Sequence, residues 1–182
     1  MNTWANVAGY QLMWLVAIWG AGHGMWWPGP LAAAPFVAWV LARPGALTDL
    51  KLMAFVLPLG CLMDSILAAS GLLHYAAPVP TTHLAPVWIA AIWCGFALTL
   101  RHTFRFLMGR PWLAAVFGAI GAPLAYLGAA RGWQAVAFGH GAWPAIALLA
   151  ALWMLAMPLM LHIAVALEKH RPLFAVHGDA HA

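Results

Sequence analysis

Apolar residues run along this chain in long blocks, and the polar ones collect in short breaks between them. A helix needs about 20 apolar residues to cross the hydrocarbon core of a bilayer, with a range of roughly 17–25. Six blocks reach or approach that length: residues 4–22, 30–41, 50–72, 85–100, 112–130 and 143–167. The second is the shortest. Prolines flank it, "MWWPG" extends it and Pro35 interrupts it, so a re-entrant segment is the alternative to a full crossing. No internal repeat is visible, although inverted halves of three helices are compatible with the count.

The breaks carry a second signal. Cytoplasmic loops of membrane proteins hold an excess of Lys and Arg. If the first residues are cytoplasmic, six alternating crossings put Arg43, Lys51, Arg101, Arg105, Arg110, Lys169 and Arg171 inside and only Arg131 outside. This bias predicts that both termini are cytoplasmic. It also supports six crossings independently of hydropathy, because losing the second segment breaks the alternation. Residues 1–169 are then one transmembrane domain and 170–182 a short polar cytoplasmic tail. No basic region precedes the first apolar block, which therefore reads as a retained helix rather than a cleaved signal peptide. Aromatic residues gather at block ends, in "MWWPGP" and at Trp112, Trp133 and Trp143, as in an interfacial belt. Trp14, Trp39, Trp93 and Trp153 lie deeper, where an indole N–H needs a partner.

Composition narrows the class. The 182 residues are 65% hydrophobic and 7% charged, whereas a soluble domain carries about 25% charged residues. Too little polar surface remains to face water, and the bilayer is the natural solvent. The expected fold class is all-α, a polytopic bundle of six transmembrane helices. The net charge of +4 is scattered and lacks the density of a nucleic-acid footprint, so no nucleic-acid partner is expected. Cys61 and Cys94 lie in apolar blocks with no CxxC or Cys/His spacing and behave as small apolar residues. The histidines fall mostly in loops, with no metal spacing and no matched pair for haem. No metal and no cofactor are expected.

Against this background Asp64 stands out, inside "GCLMDSILAASG". It lies about 14 residues into the third block, roughly 20 Å along a helix, in the outer half of the membrane. An Asp near a helix centre costs about 2.5–3.5 kcal/mol to insert, and such groups face a bundle interior or a wet cavity. Gly60, Asp64, Ala68 and Gly71 recur at helical spacing as one face of small residues, which lets a partner helix come close. Three readings stay open: an acid that fixes helix packing, a wall of a polar pocket, or a proton-transfer group.

Other polar positions fall near the cytoplasmic side. Asn2, Asn6 and Tyr10 share one face of the first helix, as interhelical hydrogen-bonding groups or ligand contacts. Trp88, Gly95, Thr99 and His102 share a face of the fourth. Arg101, Arg105 and Arg110 mark its boundary, either meeting lipid phosphates or, for Arg101 with His102, standing at the mouth of a site for an anionic head group. In the fifth helix, Gly118 with Ala122 and Gly121 with Ala125 form small-residue pairs suited to close packing, and Pro123 opens the alternative of a broken helix lining a cavity.

The stretches "NVAGYQLMW", "GCLMDSILAASGLLHY", "APVWIAAIWCGFALTLRHTFRFL" and "GAIGAPLAYLGAARGWQAV" resemble the bacterial domain-of-unknown-function family 2878 over nearly the whole chain. The matching residues are Asn6, Asp64, Ser65, Trp93, Thr99, His102, Pro123 and Tyr126. Arg101 departs from the family pattern, which commonly has a small polar residue there. The resemblance implies a small protein of the bacterial inner membrane, often encoded near lipid-modifying enzymes, and it assigns no reaction.

The candidate ligand-binding residues are therefore Asn6, Asp64, Ser65, Trp93, Thr99, Arg101, His102 and Tyr126, with Asp64 the one catalytic candidate. An interior acid, small-residue faces and no recognisable catalytic set favour a protein that binds or moves a small hydrophobic or lipid-like molecule. Its partners are membrane lipids, such a ligand, and a membrane-protein partner if it serves a transporter. The alternatives are a membrane-embedded lipid-modifying enzyme of isomerase or cyclase type using Asp64 as acid, and a structural subunit of a membrane complex.

Overall fold

The computed structural model describes residues 2–169, so the tail expected at 170–182, with Arg171, lies outside the described residues. Within them six α-helices form the expected all-α bundle: α1 (Thr3–Gly22), α2 (Pro28–Leu41), α3 (Ala46–Ala69), α4 (Val87–Leu100), α5 (Pro111–Trp133) and α6 (Ala142–Lys169). Helices α3, α5 and α6 are each long and apolar enough to cross a membrane, and α2 and α4 are shorter apolar helices of 14 residues. Fourteen residues rise about 21 Å, short of a hydrocarbon core about 30 Å thick. Pro28 sits in the first turn of α2, where its missing N–H leaves no bond unmade. Pro35, Pro58, Pro123 and Pro158 all lie inside continuous helices.

Consecutive helices run in opposite directions. At one end Asn6 meets Thr103, and Arg101 meets both Asp49 and Glu168, which gathers the first turns of α1 and α3 and the last turns of α4 and α6. At the other end a two-stranded ribbon joins the α3–α4 and α5–α6 connections. Its strands, β1 (Leu73–Tyr75) and β2 (Val136–Phe138), are antiparallel, with Leu73 opposite Phe138 and Tyr75 opposite Val136. These are called the ionic end and the ribbon end below.

The ribbon side also corrects the Gly60–Asp64–Gly71 face. Helix α3 ends at Ala69, and Gly71 lies beyond it with φ of 70°. A left-handed residue of this kind terminates a helix, so Gly71 does not extend the small face. Gly60 does serve close packing, because a side chain there would run into the Trp93 indole.

The bundle core is built where α5 packs on α6, α3 on α4 and α6, and α1 on α2 and α4. Gly118 lets α6 press against α5, since a Cβ at this position would overlap the Trp153 carbonyl and reach the Met157 side chain. Backbone cannot step aside as a flexible side chain can. Gly118→Leu should therefore lower stability by about 1–3 kcal/mol, read from reversible unfolding in mixed micelles. An unchanged transition would mean that α5 and α6 are loosely seated.

Contact between α1 and α5 is sparse and is anchored toward the ribbon end. There Gly22 lies against the Trp133 carbonyl and the tip of the Trp14 ring approaches Gly128. Away from that end the two helices part.

Candidate functional site

The space where α1 and α5 part is a cavity of about 530 Å³, within the roughly 300–1,000 Å³ of small-molecule sites. Helical periodicity decides which side chains reach it. Val7, Gln11, Trp14 and Ile18 of α1 follow one another at one-turn steps and form one wall. Phe117, Gly121 and Leu124 of α5 do the same on the facing wall. Helix α4 closes the back with Trp93 and Phe96, and α6 contributes Trp153 and Met157. Trp93 and Trp153 stack with ring centroids 5.0 Å apart and planes 16° apart, and Phe96 stands edge-on to both. Offset stacks and edge contacts are the favoured aromatic geometries, so this wall is rigid as well as apolar.

Asp64 closes the cavity at its polar point. Its side chain leaves α3 toward α4 and α5 and is 1% exposed. Trp93 Nε1–H donates to Oδ2 at 2.6 Å, and the Tyr75 hydroxyl donates to Oδ1 at 2.6 Å. The Tyr126 hydroxyl also donates to Oδ1. Three elements besides α3 thus converge on one carboxyl group: α4, α5 and the ribbon strand β1. Among the described residues no cation pairs with Asp64. A carboxylate accepts about four hydrogen bonds, and three are taken. Tyr126 is less buried than Asp64 and lines the cavity beside it. At Tyr75, outside the helices, burial pushes the phenol well above its ordinary range and the neighbouring Asp64 adds to this, so the hydroxyl keeps its proton and remains a donor.

The eight sequence candidates divide between four places. Asp64, Trp93 and Tyr126 come together at the cavity. Ser65 does not reach it: its hydroxyl donates to Cys61 O at 2.6 Å and accepts from the Ala85 N–H at 3.0 Å, which pins the α3–α4 connection onto α3. Asn6 is fully buried under the cavity floor, where it accepts from Thr103 Oγ1–H at 2.6 Å and donates to Leu98 O at 3.4 Å. Thr99 lines the floor and gives its hydroxyl proton to Phe96 O at 2.6 Å.

Arg101 and His102 stand together at the ionic end. The Arg101 guanidinium is 6% exposed; Nη1 donates to Asp49 Oδ1 at 2.7 Å and Nε to Glu168 Oε1 at 3.0 Å. His102 Nε2 lies 3.3 Å from Asp49 Oδ2. Two carboxylates already surround this guanidinium, so its charge is spent inside the protein rather than offered at an open mouth.

Several participants were not singled out in the sequence. Tyr75 sits in "LHY", whose buried–exposed–buried alternation is a strand signal over only three residues. Asp49 and Glu168 are single acids near helix ends. Under the alternation of six helices they share a level with Arg101, and that shared level was the available signal. Among the described residues no group of three or more His, Cys, Asp or Glu gathers to hold a metal ion.

The chain belongs to the family described as protein of unknown function (DUF2878), which matches residues 3–159 and so takes in the cavity, the Asp64 cluster and most of α6. No curated protein and no solved structure matches it.

Proposed function

We propose that this membrane protein binds a small hydrophobic or lipid-like molecule in the cavity between α1 and α5, in the inner membrane of a bacterium. One observation carries the reading: an apolar, aromatic-walled space of about 530 Å³ ends on a hydrogen-bonded acid at the level of Trp93 and Tyr126. Ligand sites have this form, a mostly apolar concavity with few convergent polar groups. The family membership is compatible with it and names no ligand.

Gly121 provides the test. A Cβ there has Phe117 as its nearest neighbour at 3.8 Å, an ordinary contact. Gly121→Phe therefore fills the cavity with little backbone cost. Native mass spectrometry of the protein released from membranes should show a bound small molecule in the wild type and its loss in the variant. Equal occupancy in both sinks the reading.

A second reading, a lipid-modifying enzyme with Asp64 as acid, is favoured by the place of Asp64 among the cavity-lining residues. Its 1% exposure and three fixed donors weigh against it, because a general acid must come within hydrogen-bond reach of its substrate. Lipid profiles of cells carrying wild type and Asp64→Asn separate the two: a product that vanishes in the variant favours the enzyme.

A further inference from the structure

The cavity wall and the outer surface of the bundle share residues. Gln11 on α1 is exposed, and on α5 Phe117 is 41% and Leu124 61% exposed, yet all three line the cavity. Gln11 belongs to the α1 stripe and Phe117 and Leu124 to the α5 stripe that face each other across the gap. The cavity therefore opens sideways between α1 and α5, along flanks that face lipid in a membrane-spanning bundle. The ribbon end is held shut by the Gly22–Trp133 and Trp14–Gly128 contacts. At the ionic end the Asn6–Thr103 hydrogen bond ties α1 to the residues after α4.

The polar groups around this space restrict the head group. Among the described residues no Lys, Arg or His lines the cavity, and the one acid that does is Asp64. An anionic head group would bring a charge into a low-dielectric space with no lining cation to meet it, at a high cost. Asp64 is itself covered by its donors, so it is a poor open counter-ion for a cation. Tyr10, Trp14 and Trp153 line the cavity, and each carries a neutral donor, a hydroxyl or an indole N–H. None of them takes part in the side-chain hydrogen bonds formed among the described residues, while every fully buried polar side-chain atom there has a partner. They are neutral donors suited to an oxygen acceptor.

We infer that the gap between α1 and α5 is a lateral portal through which a neutral, single-chain amphiphile with a hydroxyl or carbonyl head passes from the bilayer into the cavity. This rests on the binding reading above and adds its route and ligand class.

The experiment uses the full chain in phosphatidylcholine vesicles and hexadecanol carrying a diazirine and an alkyne, with the matching hexadecanoic acid and hexadecylamine as comparisons. Irradiation should place hexadecanol on cavity residues, with at least about tenfold less adduct from the acid or the amine, a tenfold ratio being about 1.4 kcal/mol of preference. Gly121→Phe, or the smaller Gly121→Leu, should remove the adduct. In a chain with Cys61 and Cys94 changed to alanine, Gln11→Cys and Leu124→Cys are bridged by a bis-maleimide. Bridging before the probe is added should abolish labelling, and bridging afterwards should trap the probe against washing. Gln11→Trp with Leu124→Trp closes the mouth by bulk and should give the same loss, with the unfolding transition reporting that the fold is kept.

If the adduct persists in both Gly121 variants, the binding reading fails. If it disappears there but survives both closures, the portal fails and binding stands. Stronger labelling by the acid or the amine overturns the neutral head group.

Discussion

Asp64→Ala is expected to lower the unfolding free energy by about 2–5 kcal/mol, one of the two largest losses from a single polar truncation in this protein. The change removes the acceptor for three donors at once: Tyr75 on β1, Trp93 on α4 and Tyr126 on α5. An unsatisfied buried donor costs about 1–3 kcal/mol in soluble proteins. Side-chain hydrogen bonds in membranes average about 0.6 and reach about 1.7 kcal/mol, and three of them set the range above. Asp64→Asn keeps one oxygen for the tyrosines but turns an amide N–H₂ toward the Trp93 N–H, so roughly half the loss should remain. Tyr75→Phe in the wild type should cost about 1 kcal/mol, and in the Asp64→Ala background close to nothing, because its partner is already gone. Reversible unfolding in bicelles measures all four variants. A loss under about 0.5 kcal/mol for Asp64→Ala, the scale of ordinary surface changes, would show that the cluster does not hold α3, α4, α5 and the ribbon together. The cost of inserting an acid would then be unexplained by packing, which would strengthen the case for an acid kept for chemistry.

The architecture was legible wherever a local property decides it. Crossing a bilayer requires a run of apolar residues whatever the rest of the chain does, so six helices could be read from hydropathy and the alternation of basic loops. Asp64 could be placed on an inward face for the same reason, since its cost is set by depth. What depends on distant pairing was hidden. The ribbon joins two three-residue strands that lie on either side of α4 and α5, and it delivers Tyr75 to Asp64. The cavity exists because α1 follows α2 and α4 while α5 follows α6, a division that no single helix reveals. Gly71 shows the opposite error: spacing continues a face past the point where a positive φ has ended the helix. Trp93 stands out in the sequence as a deep indole whose N–H needs a partner, whereas Tyr126 enters only through the family resemblance; both donate to Asp64.

Arg101→Ala is expected to cost about 3–5 kcal/mol, the range for breaking a buried ion pair from one side. Asp49 is 1% exposed, and once the guanidinium is gone its remaining side-chain partner among the described residues is the His102 ring at 3.3 Å. Glu168 loses its partner as well, and with it the tie between the end of α6 and the rest of the ionic end. The arrangement needs an arginine. Nε and Nη1 point to two different carboxylates and Nη1 also reaches Gly45 O at 3.4 Å, whereas a lysine offers a single ammonium centre. Arg101→Lys should therefore recover only part of the loss. The double change Arg101→Gln with Asp49→Asn removes both buried charges and should be milder than Arg101→Ala alone, because an unpaired buried charge costs more than a neutral pair. Unfolding of Arg101→Ala, Asp49→Ala and the double variant that carries both gives the coupling energy directly. If Arg101→Ala and Asp49→Ala lose stability additively, the pair is not coupled and the guanidinium is free for another partner. Coupling of a few kcal/mol instead places this arginine as the clamp of the ionic end, which leaves the cavity and its neutral donors as the part of the molecule open to a ligand.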